Sequence, residues 1–341
     1  MTPFTDIVVA GAGPAGATIA RLLALRARHV TIVDPATRRN DRLEIISPSG
    51  CPVIEATGMA RLLADPAIAR PCLGIRRRWG GRDMEIDDFL RRPGGNGFVI
   101  DRRAFDVALR AAAADAGVEF VTGRIVAARR DEGALALDIE SGSGRRTMFA
   151  GLAVDATGRP SAVGRRMGAQ RLTSDTLIAE RRRLDAPRAT SQEPTWLDVK
   201  GCSNGWSYSV SGPDGRRERW IVRRAASNRV NGHARPRADA SSAILSHAAG
   251  EGWIAVGDAA VSFDPVTSQG LANALSSAIV AAGAILSPRG LDAETCRIYS
   301  DALAATWRYS EAGRADVYAA LSIPRSSRRQ SEAEAAVASA G

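Results

Sequence analysis

The sequence has almost no lysine, little aromatic mass and few side chains that bind metals. Lys200 is the only lysine, so the other basic residues among the 46 are arginines. Aromatic residues make up 5% of the chain, which argues against an aromatic-rich all-β core. Cys51, Cys72, Cys202 and Cys296 form no CxxC pair, and His29, His233 and His247 are equally dispersed, so a zinc site of the usual spacing is excluded. Four scattered thiols in a chain of this size read as reduced cysteines of a cytoplasmic protein. No apolar run reaches the length of a membrane span and no secretory signal precedes Ile7, so a cytoplasmic protein without a span is expected. Runs of arginine at 76–78, 181–183 and 328–329 lack the interleaved aromatics of a nucleic-acid groove, and nucleic acid is not an expected partner. The net charge of +9 would still steer an anionic partner.

What is present is glycine, alanine and a clear βαβ pattern. Residues 7–10 are a continuous apolar run, as in a strand buried on both faces. Residues 14–28 carry Ile19, Leu22, Leu23 and Ala27 at helical spacing, and 30–34 return as a second strand. A right-handed crossover makes these strands parallel neighbours. Residues 35–75 read as turn-rich with a short helix near 58–63, and 76–97 as an excursion from the sheet. A helix is expected over 104–116, strands over 118–121, 124–130 and 134–140, a turn at 142–144, and a buried strand over 152–155. Strand-like pieces at 177–183, 205–210 and 218–224 are separated by loops and suggest a second, sheet-based unit. A strand near 253–257, a small-residue helix over 271–286, and two amphipathic helices over 293–308 and 311–321 follow.

Between the first strand and helix stands Gly11-Ala12-Gly13-Pro14-Ala15-Gly16, a dinucleotide fingerprint in its proper setting. Gly11 permits the tight turn, Gly13 lets backbone approach a pyrophosphate, and Gly16 lets helix and strand pack closely. Pro14, Ala15 and Gly16 open the helix, whose N-terminus attracts phosphate. Asp34 lies 23 positions beyond Gly11 at the end of the second strand, where a carboxylate accepts hydrogen bonds from ribose hydroxyls. The motif alone leaves FAD and NAD both open.

Two later segments resemble signatures of a known family. Asp101-Arg102-Arg103-Ala104-Phe105-Asp106, and Gly257-Asp258-Ala259-Ala260 continuing through Asp264-Pro265 to Ser268-Gln269-Gly270-Leu271, are similar to those of the FAD-dependent aromatic hydroxylase superfamily. That superfamily includes para-hydroxybenzoate hydroxylase-like monooxygenases and tryptophan halogenase-like flavoproteins. With the fingerprint and Ala156-Thr157-Gly158, four ordered anchors cover residues 5–285. The resemblance implies an α/β fold: a Rossmann-like FAD-binding domain of the GR2 type, an inserted β-sheet substrate domain and C-terminal helices. It implies FAD contacts from Arg102 at the phosphate–ribose region, from Asp258 at the ribityl chain, and from Pro265 beside the ring. The amides of Gly270 and Leu271 would face the pyrimidine end, where a helix N-terminus stabilises negative charge on a reduced flavin. Val126, Gly158 and Gly257 complete the implied cofactor contacts. The corresponding division assigns 1–75, 98–170 and 250–290 to the FAD-binding domain and 76–97 with 171–249 to a shortened substrate domain. Residues 291–323 are the C-terminal helices and 324–341 a disordered tail.

The implied activity is that of a flavoprotein oxidoreductase, a monooxygenase transferring oxygen from a flavin hydroperoxide to an aromatic ring. The chain most resembles the branch whose flavoproteins mature cysteine-tryptophylquinone enzymes by oxygenating a protein-bound tryptophan, so that residue or an aromatic small molecule is the expected substrate. No second GxGxxG unit is present, so NAD(P)H would bind transiently or a separate flavin reductase would supply electrons. Alternatives are a flavin-dependent reductase or oxidase of the prenyl-reductase kind, or a non-catalytic flavin-binding maturation partner. Halogenases of the superfamily carry a lysine after the second strand and a WxWxIP motif. Residues 35–80 contain no lysine, and Gly205-Trp206-Ser207-Tyr208-Ser209-Val210 does not match that motif, which disfavours halogenation. Trp206, Tyr208, Pro265 and Trp79 are candidate substrate-side residues. Trp196, Trp220 and Trp307 are assigned to packing, and His233 and His247 to loops.

Overall fold

The computed structural model describes residues 4–36, 40–79, 83–184, 193–202, 204–225 and 237–320. Gly80, His233 and the segment 324–341 lie outside the described residues. The expected βαβ unit forms from strand Phe4–Ala10, helix Pro14–Ala24 and strand Val30–Asp34, with Val8 opposite Thr31 and Val9 opposite Ile32 in parallel register. The parallel sheet runs in the order Trp253–Ala255, Gly144–Asp155, Phe4–Ala10, Val30–Asp34 and Glu119–Thr122. Val8, Val9, Ile32, Val154 and Ile254 are fully buried in its core with Ile19 and Leu23 of the first helix. Each such side chain contributes roughly 1.5–3 kcal/mol of burial. The hairpin Arg124–Asp131 and Ala134–Ser141 extends antiparallel from Gly144–Asp155.

A second sheet has nine strands, in the order Arg237–Asp239, Leu177–Leu184, Arg217–Arg224, Gly205–Ser211, Thr195–Cys202, Ala69–Arg78, Gly97–Asp101 and Leu43–Ile46, with Glu85–Asp88 paired beside Ala69–Arg78. Period-two alternation sets its faces. Trp206, Tyr208 and Val210 face inward with Leu197 and Val199, while Ser207, Ser209 and Lys200 share the opposite face. The sequence reading missed Leu43–Ile46 and Ala69–Arg78, because the arginine-rich second strand breaks the apolar alternation. Its Arg77 is held at 3.0 Å by Asp87 of the neighbouring strand, a partner that no local pattern reveals.

Helix Arg102–Asp115 packs on the first helix, and helix Gly270–Leu286 follows the parallel sheet. One helix, Ala293–Ala320, replaces the two expected at the C-terminus. Gly313 does not break it, because Glu311 and Arg314 on either side are buried in ion pairs that pin this stretch to the sheets. Among the described residues no helix is long and apolar enough to cross a membrane.

Candidate cofactor site

The three glycines of the first turn have different tasks. Gly11 adopts φ +105°, and a Cβ there would overlap the Ala156 carbonyl. A Cβ on Gly16 would overlap the Gly11 carbonyl, so helix and strand meet only because Gly16 has no side chain. Gly13 has an ordinary φ of −74°, and nothing stands within 4 Å of where its Cβ would be. The fold needs the first two glycines, whereas the room at Gly13 suits an incoming phosphate. Helix Pro14–Ala24 begins with no side-chain cap, leaving first-turn amides free for an anion. Asp34 is anchored beside them: its Oδ2 accepts the Ala12 amide and its Oδ1 the Ala36 amide, both at 2.8 Å. Each oxygen keeps a lone pair for a ribose hydroxyl.

The distant anchors converge on this turn. The Gly11 contact brings Ala156 alongside it, and a Cβ on Gly257 would stand 2.9 Å from the Ala15 Cβ. Gly257 adopts φ +60° and donates its amide to Ser277 Oγ at 2.8 Å. The half-exposed Asp258 follows, 3.7 Å from the Arg159 guanidinium. Asp155 is fully buried and accepts the amides of Thr157, Val163 and Gly164, so it shapes the loop through Gly158. Gly158 itself is left-handed, at φ +72°. Val126 sits at a bulge between Ile125 and Ala127, its carbonyl accepting Arg166 Nε at 2.9 Å.

A second turn, at Asp264–Gln269, is built from side chains. Asp264 is buried and accepts the Val266 amide at 3.0 Å, capping the short helix Pro265–Thr267. Ser268 is left-handed at φ +51°, and helix Gly270–Leu286 then opens without a side-chain cap, exposing the Gly270 and Leu271 amides to an acceptor. A Cβ on Gly270 would lie 3.4 Å from Glu44 Oε1. Glu44 and Asp106 grip the buried Arg102 guanidinium, Asp106 Oδ1 at 2.9 Å. Burial alone would raise the Glu44 carboxyl, but Arg102 and Arg42 together hold it below its ordinary value.

The inner face of the large sheet meets this turn with aromatic rings. Tyr208 stacks between Trp206, 5.5 Å between centroids, and Trp220, at 6.4 Å. Burial pushes the Tyr208 phenol up, and Val266 of the Pro265–Thr267 turn packs against the same core as Trp206, Tyr208 and Trp220. Trp206 is buried and gives its indole N–H to Tyr318. Trp79 packs at the edge of the same core. Trp307 is buried and bonded to Ser242 Oγ, while Trp196 lies under the Arg76 guanidinium. His247 bonds to Ser246 and edges onto Trp253, and burial lowers its pKa. Lys200 is exposed on the opposite face. Sequence reasoning missed Glu44, Glu218 and Tyr318. The available signal for the first was an isolated carboxylate within an otherwise apolar strand, Leu43-Glu44-Ile45-Ile46, whereas Glu218 sits between Arg217 and Arg219 and gave none.

These features define an α/β protein built around a parallel sheet and a large second sheet, with a glycine turn and a second uncapped helix start. The chain belongs to the FAD binding domain family, whose model matches residues 4–251. Curated relatives include a menaquinone reductase of Mycobacterium tuberculosis, 26% identical over 317 residues, covering 81% of this chain and 75% of that protein. Another is digeranylgeranylglycerophospholipid reductase 1 of Methanosphaera stadtmanae, 26% identical over 51% of this chain and 43% of that protein. Among solved structures, the peptidyl tryptophan dihydroxylase QhpG, essential for tryptophylquinone cofactor biogenesis, aligns with a TM-score of 0.71. That match has 24% identity and covers 96% of this chain and 78% of QhpG. The flavin-dependent brominase Bmp2 aligns with a TM-score of 0.72 at 17% identity, over 87% of this chain and 83% of Bmp2. The cofactor is FAD and the chain is a flavoprotein oxidoreductase. The room at Gly13, the two uncapped helix starts and the anchored Asp34 fit FAD.

Proposed function

We propose that this flavoprotein is a monooxygenase acting on an electron-rich aromatic ring, with free or protein-bound tryptophan as the leading candidates. The observation that carries this reading is the stack of Trp206, Tyr208 and Trp220 on the inner face of the sheet, in the core against which Val266 of the Pro265–Thr267 turn packs. Tyr208, half-buried between the two buried indoles, offers the ring face on which an aromatic substrate stacks. Bound FAD supplies the redox chemistry and the activation of dioxygen. The protein's part is to bind, orient and exclude water. In this reading Gly13 and the first-helix amides take the pyrophosphate, Asp34 the adenosine ribose, and Asp258 the ribityl chain. Pro265 and the Gly270 and Leu271 amides border the ring, and Arg102 is held near the phosphate–ribose region by Glu44 and Asp106.

Electrons come from NAD(P)H or a separate flavin reductase. Lys200, on the outer face of the sheet, supports the view that halogenation is not the activity. The test is product analysis under isotopically heavy dioxygen, with reduced FAD and a tryptophan-containing peptide. Heavy oxygen in the product is expected. A second reading, a reductase acting on an isoprenoid chain, is supported by the menaquinone and glycerophospholipid reductases among the relatives. It predicts two added hydrogens on a polyprenyl quinone and no oxygen from dioxygen, an outcome that would replace the first reading.

A further inference from the structure

A buried chain of hydrogen bonds joins the inner face of the large sheet to the Asp264 turn. Trp206 Nε1 donates to the Tyr318 hydroxyl at 3.2 Å, and that hydroxyl donates to Asp264 Oδ2 at 2.8 Å. Asp264 Oδ1 in turn accepts the Val266 amide at 3.0 Å. All three side chains are buried, and Tyr318 stands in the last turn of helix Ala293–Ala320. We propose that Tyr318 is a positioning residue for the cofactor: through Asp264 it fixes the turn that carries Pro265 and opens helix Gly270–Leu286, and through Trp206 it ties that turn to the substrate-side sheet. The proposal rests on the reading that this turn borders the flavin ring.

The charges around Asp264 make the link sensitive to protonation. Arg314 on the same C-terminal helix lies 3.6 Å from Asp264 Oδ2 and bonds at 2.5 Å to Asp175, on the segment preceding strand Leu177–Leu184. It also bonds to Glu311 at 2.5 Å and to Ser174 Oγ at 3.1 Å. On the loop side, Arg159 reaches the carbonyl of Phe263 at 3.4 Å. Three buried carboxylates therefore share the Arg314 guanidinium. Burial raises the Asp264 carboxyl to about 6, against the opposing pull of Arg314, the Val266 amide and the Tyr318 hydroxyl. Ionised, Asp264 accepts from both Tyr318 and Val266. Protonated on Oδ2, it becomes a donor there, and the Tyr318 oxygen then accepts from both Asp264 and Trp206 and turns its own O–H away from the line. The turn is held in this donor order only while Asp264 is ionised.

The experiment uses the full chain with Tyr318→Phe and Asp264→Asn. FAD dissociation constants and the visible spectrum of bound flavin are measured from roughly pH 5 to roughly pH 8, bracketing the raised carboxyl, with thermal melts of each apoprotein. Wild-type affinity is expected to weaken as the pH falls through about 6. In Tyr318→Phe, FAD binding above that midpoint weakens about tenfold, as for loss of a hydrogen bond to a charged group. Its flavin band shifts and its midpoint moves up, because a group that lowers the carboxyl pKa is gone. In Asp264→Asn the pH step disappears. If Tyr318→Phe does not fold, Trp206→Phe removes only the far donor and must move the midpoint in the same direction. Variants with wild-type affinity, spectrum and pH profile would overturn the proposal. A wild-type protein that binds no FAD at any pH would instead overturn the reading of the site on which it rests.

Discussion

The two turns assigned to the cofactor are held in place by opposite means. The Gly11–Gly16 turn is fixed by backbone contact: a Cβ at either end would overlap a carbonyl oxygen, and the Asp34 carboxylate anchors it through the Ala12 amide. The Asp264–Gln269 turn is fixed by buried side chains from a helix some fifty residues further along the chain, through Tyr318 and the Arg314 cluster. Backbone sterics do not titrate, whereas a buried ionic cluster does. The close approach that shapes one turn is therefore independent of pH, and the other turn depends on the protonation and integrity of a network.

The largest effect is expected at Gly16. In Gly16→Ala a Cβ must displace the Gly11 carbonyl, which no rotamer relieves, so the helix leaves the strand. The variant should be insoluble or fail to retain FAD, and a soluble yellow protein with a wild-type melt would break the steric half of the comparison. Next comes Arg314→Met, which leaves Asp175, Glu311 and Asp264 buried without their shared cation. Loss of one partner of such a cluster costs about 3–5 kcal/mol, measurable by urea unfolding.

The pH dependence of stability sharpens the contrast through two carboxyls of opposite sign. Asp264 is raised from 3.8 to about 6 in the fold, mainly by burial, so its contribution is full below about 4 and is lost as the pH rises through about 6. The shift corresponds to about 3 kcal/mol. Unfolding of Asp264→Asn should lack that fall. Glu44, held low by Arg102 and Arg42, behaves the other way, its contribution present above its unfolded pKa and lost on acidification. A smaller effect is expected from Asp258→Ala. It should weaken FAD retention about tenfold, the scale of one lost hydrogen bond to a charged group, while Cys202→Ser, on an exposed thiol, leaves retention unchanged.

Legibility in the sequence follows the same division. The βαβ unit, its glycine turn and Asp34 are visible because each is set by residues close in the chain, and the strand and helix periods are intact. The elements Gly205–Ser211 and Arg217–Arg224 are legible from alternation. Ala69–Arg78 is not, since Arg76 and Arg77 find their partners, Trp196 and Asp87, only on neighbouring strands. The continuity of helix Ala293–Ala320 was hidden for a related reason. The expected break fell at 309–310, and the ion pairs that hold the helix just beyond it reach Asp175 and Asp264, far away in sequence. Tyr318 lies within the second expected helix with nothing in its sequence to single it out, and only the fold sets it between Trp206 and Asp264.

The central claim is that the glycine turn and the uncapped helix behind it hold the FAD pyrophosphate, and Gly13→Ala tests it most directly. Gly13 already has a φ that alanine adopts, and its Cβ would meet no protein atom within 4 Å. The apoprotein should therefore melt like wild type, while the new methyl group occupies the room at the turn. The measurement is a pair, the apoprotein melting temperature and the FAD dissociation constant of the variant beside wild type. An unchanged melt with FAD binding weakened at least about tenfold, about 1.4 kcal/mol, is the predicted result. An unchanged melt with unchanged FAD affinity would mean that the phosphates lie elsewhere, and would contradict the account.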